Sequence, residues 1–137
     1  MMPIIGDKAC LKDSFSVSDV IQFAHLVGDH NPLHLDEDYA KSSRFGRTIV
    51  HGMLPAALIS ALIATKLPGP GSIYLSQTLN FSSPVYPDEI IEAEVEVLEI
   101  KADKSVIRLR TTCTKLDGSV TINGEALVLY DPPHQKD

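Results

Sequence analysis

The segment from Gly52 to Lys66 constrains the fold more than any other part of the chain. Between its ends it reads Met-Leu-Pro-Ala-Ala-Leu-Ile-Ser-Ala-Leu-Ile-Ala-Thr, which is apolar or small around the whole circumference of a helix. A helix that is apolar on every face is buried on every side. Pro55 fits the first turn, where N–H groups lack intrahelical partners, and the run from Pro68 to Gly71 ends the helix. The sequence therefore predicts a central helix enclosed by the rest of the molecule.

The segments after this helix alternate apolar and polar residues with the period of two that is typical of half-buried strands. We predict strands over 72–82, 89–101, 104–115 and 119–130, and a further short strand over 8–14. Asp117-Gly118 marks a hairpin turn.

An antiparallel sheet with one apolar face and a helix that is apolar all round bury each other if the sheet curls around the helix. This α+β arrangement is the hot-dog fold. A length of 137 residues favours a single domain over 1–137, and we expect the polar tail 131–137 to be frayed. The exposed edges of such a sheet favour a symmetric homodimer.

Charge and cysteine content narrow the possible functions. The formal net charge of -6 argues against nucleic-acid binding, which requires a basic face. The longest apolar stretch, 49–67, contains His51, Ser60 and Lys66 and is shorter than the ~20 residues of a membrane span, so we expect no membrane association. Cys10 and Cys113 are far apart and follow no secretory signal. We expect both to be reduced core residues of a cytoplasmic protein, with an organelle matrix as the alternative location.

The stretch Gly28-Asp29-His30-Asn31-Pro32-Leu33-His34 places a carboxylate and an imidazole in one irregular turn. Asp29 and His34 can converge on one water molecule. Such a pair can take a proton from the water and pass one to a substrate carbon near neutral pH. The alternative is structural: Asp29 forms the turn, and His34 is a hydrogen-bonded histidine of the surface or core.

Gly52 opens the apolar helix, so its N–H lacks an intrahelical acceptor and lies at the positive end of the helix dipole. A thioester carbonyl bound there would be stabilised as it becomes enolate-like, and one such donor is worth about 3 kcal/mol. The alternative is a helix start that needs a small residue. His51 either contacts substrate or makes a structural hydrogen bond, and Ser60 either bonds to the helix backbone or points at the active-site pair.

We expect no metal site. His30 and His34 are four residues apart, but Pro32 breaks the helix that this spacing requires. Four cations are candidates for phosphate contacts, although a solvated charge is the favoured interpretation of each: Arg44, Arg47, Lys66 and Lys104.

Two motifs resemble the MaoC-like hydratases: the Gly28–His34 stretch and Arg47-Thr48-Ile49-Val50-His51-Gly52-Met53. Gly71-Ser72-Ile73-Tyr74-Leu75, and Asn80-Phe81 followed by Pro84-Val85, also look like that family. The likeness extends from about Asp7 to Tyr130. The resemblance implies a hot-dog homodimer that reversibly adds water to trans-2-enoyl-CoA and gives (R)-3-hydroxyacyl-CoA. Coenzyme A is then part of the substrate, and no separate cofactor is expected.

The resemblance also implies residue roles. Asp29 and His34 match the catalytic pair of the family, and Gly52 matches the backbone donor to the thioester carbonyl. Asn31 matches a supporting residue. Pro55 departs from the family pattern and can shift the start of the helix. Positions expected to contact or enclose the substrate are Asn31, His51, Ser60 and Ile63.

Three other functions remain open on the sequence. An acyl-CoA thioesterase would use the same carbonyl site and release free thiol. A non-catalytic acyl-thioester-binding module would bind the substrate without changing it. A 3-hydroxyacyl dehydratase acting on acyl carrier protein would run the same chemistry on another carrier.

Overall fold

Six strands form one antiparallel sheet in the computed structural model, which describes residues 2–132. The strands are β1 (Lys8–Ser14), β2 (Ser72–Gln77), β3 (Asn80–Phe81), β4 (Ile90–Lys101), β5 (Val106–Lys115) and β6 (Val120–Tyr130). Their order in the sheet is β1-β4-β5-β6-β2, and β3 also pairs with β6. The helices are α1 (Val17–Val27), α2 (Pro32–Leu35), α3 (Glu37–Lys41) and α4 (Met53–Thr65). The predicted α+β hot-dog arrangement is confirmed.

The core lies between α4 and one face of the curved sheet. On β4 the alternate residues Ile91, Ala93, Val95 and Val97 are buried, as the period of two predicts. On α4, Ile59 and Leu62 are completely buried against them.

The prediction that α4 is buried on every face is wrong for the single chain. Met53 is 54% exposed, and the exposed stripe continues along the helix through Ala57, Ser60, Ala61 and Ala64. A single curved sheet covers only one side of a helix, so the opposite, small-residue side remains open.

The strand predicted over 72–82 is divided into β2 and β3 where the chain crosses Gly124 of β6. A Cβ atom at position 124 would lie 1.8 Å from the carbonyl oxygen of Thr78. The backbones touch at this point because position 124 has no side chain, and the regular ladder is interrupted there.

The two cysteines are free thiols, but only Cys113 belongs to the core. Cys10 is exposed, because on the edge strand β1 the residues Ala9 and Leu11 pack inward and Cys10 faces away. None of the described helices combines the length and apolar character needed to cross a bilayer. The predicted frayed tail lies outside the described residues beyond position 132.

Candidate active site

The irregular turn after α1 is built from local hydrogen bonds. Gly28 ends α1 in a left-handed conformation, with φ of 79°. The Asn31 side chain caps α2 by accepting from the Leu33 N–H at 3.0 Å, and Pro32 follows as the first residue of that helix. Asn31 therefore supports the turn and orients the two residues on either side of it, Asp29 and His34.

His34 has a defined tautomer. Its Nδ1 lies 2.8 Å from the carbonyl oxygen of Ile49, and because a carbonyl only accepts, Nδ1 must carry the hydrogen. In the neutral ring Nε2 is then an acceptor. Burial lowers the pKa of His34 below its ordinary value of 6.5, and the Ile49 carbonyl opposes this shift. His34 therefore presents a basic Nε2 at neutral pH.

The buried His51 packs against His34 and holds it in place. It is 2% exposed, and its ring stacks on His34 with the centroids 3.9 Å apart. Its Nε2 lies 3.0 Å from the backbone carbonyl of Asp29 and must donate to it, while Phe23 packs edge-on at 4.9 Å. The buried Nδ1 has no partner within residues 2–132. His51 thus links the turn to the start of α4. Of the two roles considered for this residue, the structure shows the structural hydrogen bond.

The side chains of Asp29, His34 and His51 converge. One potential ligand atom from each lies within 4.8 Å of the other two. That separation between the carboxylate and His34 is one that a single water molecule bridges. Asp29 is exposed and His34 is half-buried, so the pair is open to solvent on one side.

Among the described residues, this trio is the group whose potential ligand atoms lie close enough together to be considered for a metal ion. The two imidazoles are stacked with only 29° between their planes. Their in-plane lone pairs therefore run nearly parallel and do not aim at one ion. The absence of a metal stays a prediction. His30, considered above as a ligand, instead lies 3.4 Å from His25.

A cavity of about 480 Å³ opens beside this pair. His34 and Gly52 both line it, and the remaining wall is largely apolar: Phe45, Ile49, Val50, Met53, Pro55, Phe81, Ser82, Ser83, Pro84, Val85, Thr121 and Ile122. The N–H of Gly52 has no acceptor among the described residues. The Phe81 ring lies so close that a Cβ at position 52 would be 2.8 Å from it. A carbonyl group bound in the cavity can therefore accept a backbone hydrogen bond close to a general base.

None of the four residues expected to contact or enclose the substrate lines this cavity in the single chain. Asn31 instead caps α2. Ser60 is exposed on the open side of α4, and Ile63 is 2% exposed within the main core. His51 lies behind His34 and does not line the cavity. Pro55 lines the cavity and leaves the helix start at Met53, because its missing N–H falls in the first turn.

The sequence analysis missed most of the cavity wall, and Phe81 is the clearest example. Its contact with Gly52 joins residues 29 positions apart in sequence, and no local pattern reveals such a contact. A usable signal was present, however, because Asn80-Phe81 followed by Pro84-Val85 is one of the stretches that resemble the family. In the structure Phe81 stays 53% exposed, and exposed large apolar residues often mark a binding surface.

Comparisons with known proteins agree with this geometry. A family model described as MaoC-like domain matches residues 7–118. The 3-hydroxybutyryl-CoA dehydratase of Methylorubrum extorquens is 45% identical over 133 residues, covering 97% of this chain and 84% of that protein. The (R)-specific enoyl-CoA hydratase of Aeromonas caviae is 45% identical over 124 residues, covering 90% of this chain and 92% of that protein. The solved structure of an A. caviae (R)-hydratase involved in PHA biosynthesis superimposes with a TM-score of 0.91 at 43% identity. The match covers 94% of this chain and 98% of that one.

Proposed function

The chain belongs to the MaoC-like domain family, and on that premise we propose that it is a hydro-lyase, an (R)-specific enoyl-CoA hydratase. It adds water reversibly to trans-2-enoyl-CoA and gives (R)-3-hydroxyacyl-CoA. The observation that carries the proposal is the position of the basic His34 beside the Asp29 carboxylate, together with the cavity that His34 and Gly52 both line.

The mechanism follows from the acceptors at the site. A water molecule that donates one hydrogen to Asp29 and the other to His34 Nε2 has its lone pairs free to attack C3 of the enoyl group. The new C3–O bond forms while one O–H bond breaks and its proton passes to the pair. The electrons of the C2–C3 double bond move toward the thioester oxygen, where the Gly52 N–H stabilises the developing enolate. The pair then returns the proton to C2. Asp29 and His34 act as one coupled unit in this exchange.

The test uses crotonyl-CoA and follows the loss of the enoyl absorbance, with the handedness of the product determined afterwards. We expect (R)-3-hydroxybutyryl-CoA from the wild type, and a loss of turnover of about 10²–10⁴-fold in Asp29→Asn. Asp103→Asn makes the same chemical change on an exposed turn and keeps full activity.

The alternatives give different results in the same assay. Release of free thiol would identify a thioesterase, and binding without any change in absorbance would identify a non-catalytic module. Preference for crotonyl-acyl carrier protein over crotonyl-CoA would assign the carrier-protein dehydratase instead.

A homodimer is part of the proposal. The open stripe of α4 and the free edge strand β2 both expose apolar side chains, and Ile73 and Leu75 of β2 are 56% and 53% exposed. Exposed apolar residues on an unpaired sheet edge favour association. Light scattering should give twice the mass of the chain. Leu75→Lys should shift the protein to monomer, whereas Leu116→Lys, at a hairpin turn where Leu116 is 71% exposed, should not.

A cytoplasmic location is also proposed. Two free thiols in a single chain, one of them exposed, suit a reducing compartment. The A. caviae neighbour is involved in PHA biosynthesis, and the (R)-3-hydroxyacyl product proposed here makes the same role possible for this chain. Fractionation of the producing cells would check the location.

A further inference from the structure

Two arginines without ion-pair partners lie in the loop between α3 and α4. Six of the eleven cations in the described residues form salt bridges with carboxylates: Lys8, Lys12, Lys101, Arg108, Arg110 and Lys115. Arg44 and Arg47 make no salt bridge within residues 2–132. The chain has a net charge of -6. A loop that carries two arginines without salt bridges is therefore an exception to the overall negative charge.

Arg47 is held in place by an aromatic ring. Its guanidinium carbon lies 4.1 Å from the centroid of the Tyr86 ring, a cation–π contact. The Tyr86 hydroxyl donates to the Phe45 carbonyl at 3.1 Å, which fixes the ring. Lys115 lies 5.4 Å from the same ring, but Glu89 neutralises it at 3.1 Å.

An acidic side chain that reaches this loop is already engaged. Glu37 accepts a hydrogen bond from the Thr48 hydroxyl at 2.5 Å and makes no salt bridge with Arg47. The guanidinium therefore keeps N–H donors for an external anion, and its stacked position reduces the conformational entropy lost on binding.

Arg47 lies in a chain segment that lines the active-site cavity on both sides of it. Its neighbours two positions away on each side, Phe45 and Ile49, both line the cavity. Tyr86 follows Val85, another lining residue, and the Val85 carbonyl accepts from the Val50 N–H at 2.7 Å. The arginine and its supporting ring are thus attached to two walls of the same cavity.

We infer that Arg47, positioned by Tyr86, binds a phosphate group of coenzyme A during hydration. The inference rests on the proposed function, because it assumes a coenzyme A thioester in the cavity. A planar guanidinium matches the oxygens of a phosphate with two parallel hydrogen bonds. The negative protein repels the anionic substrate at long range, and Arg47 supplies a local attraction where the pantetheine arm leaves the cavity.

The test compares three thioesters: crotonyl-CoA, crotonyl-3′-dephospho-CoA and crotonyl-pantetheine. In Arg47→Gln the KM for crotonyl-CoA should rise about tenfold, the value of one charge-assisted hydrogen bond, with kcat unchanged. The KM for crotonyl-pantetheine, which has no phosphate, should stay at the wild-type value. If the 3′-phosphate is the group bound, the variant and the wild type will have equal KM values for the dephospho substrate. If the diphosphate is bound, the tenfold difference persists with that substrate.

Three variants serve as controls. Arg110→Gln removes the same charge from the outer face of the sheet and should leave KM within twofold. Arg47→Lys keeps the charge and should recover part of the affinity. Tyr86→Leu keeps Arg47 but removes its support, and should raise the KM for crotonyl-CoA but not for crotonyl-pantetheine. The wild-type KM should also increase with salt concentration, and this dependence should be weaker in Arg47→Gln.

The outcomes separate this inference from the proposed function. If the wild type does not hydrate crotonyl-CoA, the proposed function fails and the inference fails with it. If the wild type is active but Arg47→Gln matches Arg110→Gln, or raises KM equally for crotonyl-pantetheine, the inference is overturned and the hydratase assignment stands.

Discussion

The β4–β5 part of the sheet and the turn between α1 and α2 are organised by different rules. In the sheet, burial alternates residue by residue, and the outer face carries a ladder of exposed ion pairs such as Arg110–Glu96. In the turn, no period exists, and each functional side chain is oriented by its own hydrogen bond or ring contact. The comparison teaches that stability and chemistry reside in separate parts of this molecule. Substitutions should therefore affect one without the other.

The largest expected effect is on the chemistry of the turn. His34→Ala should lower kcat for crotonyl-CoA by about 10²–10⁴-fold, because the nitrogen that binds the attacking water is lost. The melting temperature should change little, since His34 is only half-buried. His25→Ala removes an exposed imidazole from α1 and should leave kcat unaltered. Near-normal turnover in His34→Ala would remove His34 from the mechanism.

The sheet should show the opposite behaviour. Leu109→Ala deletes a side chain with 0% exposure and should lower the free energy of unfolding by about 2–5 kcal/mol. Chemical denaturation measures this loss, and kcat should persist at temperatures where the variant is folded. Leu116→Ala, at a position 71% exposed, should have little effect. If kcat fell in proportion to stability in Leu109→Ala, the separation of the two regions would be disproved.

The same substitution, glycine to alanine, can be made once in the sheet and once at the active-site cavity. In Gly124→Ala the new Cβ meets the backbone oxygen of Thr78 at 1.8 Å, which cannot move without shifting a strand. The free energy of unfolding should fall by about 1–3 kcal/mol. In Gly52→Ala the new Cβ meets the Phe81 ring, an exposed side chain that can rotate.

Gly52→Ala should therefore retain its stability better than Gly124→Ala and lose more kcat, because the displaced ring disturbs the carbonyl site. Thermal melting and crotonyl-CoA turnover, measured on both variants, check the contrast. The same loss of stability in both would contradict it.

The pH dependence should be confined to the turn. Burial lowers the pKa of His34 below 6.5, so the ring remains neutral and basic as the pH falls to that value. We expect kcat/KM to decline only below pH 6.5, as His34 becomes protonated. The same group makes stability fall in that direction, because the unfolded chain binds the proton more readily than the folded one. A pH–rate profile of Leu109→Ala should keep the wild-type midpoint, and a midpoint above 6.5 in the wild type would contradict the effect of burial.

The smallest effect should come from the ion pairs of the outer face. Arg110→Gln leaves Glu96 paired with Lys8 at 3.4 Å, and exposed pairs contribute about 0–1 kcal/mol. The free energy of unfolding should change by no more than that, with kcat unchanged. A larger loss would indicate that the ladder acts as a cooperative network.

The sequence alone determined the features that depend on local periodicity and chain geometry. The alternation in β4 and β5 predicts which residues are buried there, and the Asp117-Gly118 pair predicts the hairpin. The apolar run of α4 predicts the central helix. Gly28 and Pro32 predict the irregular turn that brings Asp29 near His34. These features could be predicted because each arises from residues close together in the chain.

Only the tertiary structure decided the features that depend on distant contacts. The Ile49 carbonyl selects the His34 tautomer, His51 lies behind the pair, and Phe81 covers Gly52. The open side of α4 places Ser60 away from the cavity, and the edge position of β1 leaves Cys10 exposed. The physical reason is that hydrogen-bond direction and burial are set by neighbours in space. Residues far apart in sequence carry no periodic signal of the contact they will make.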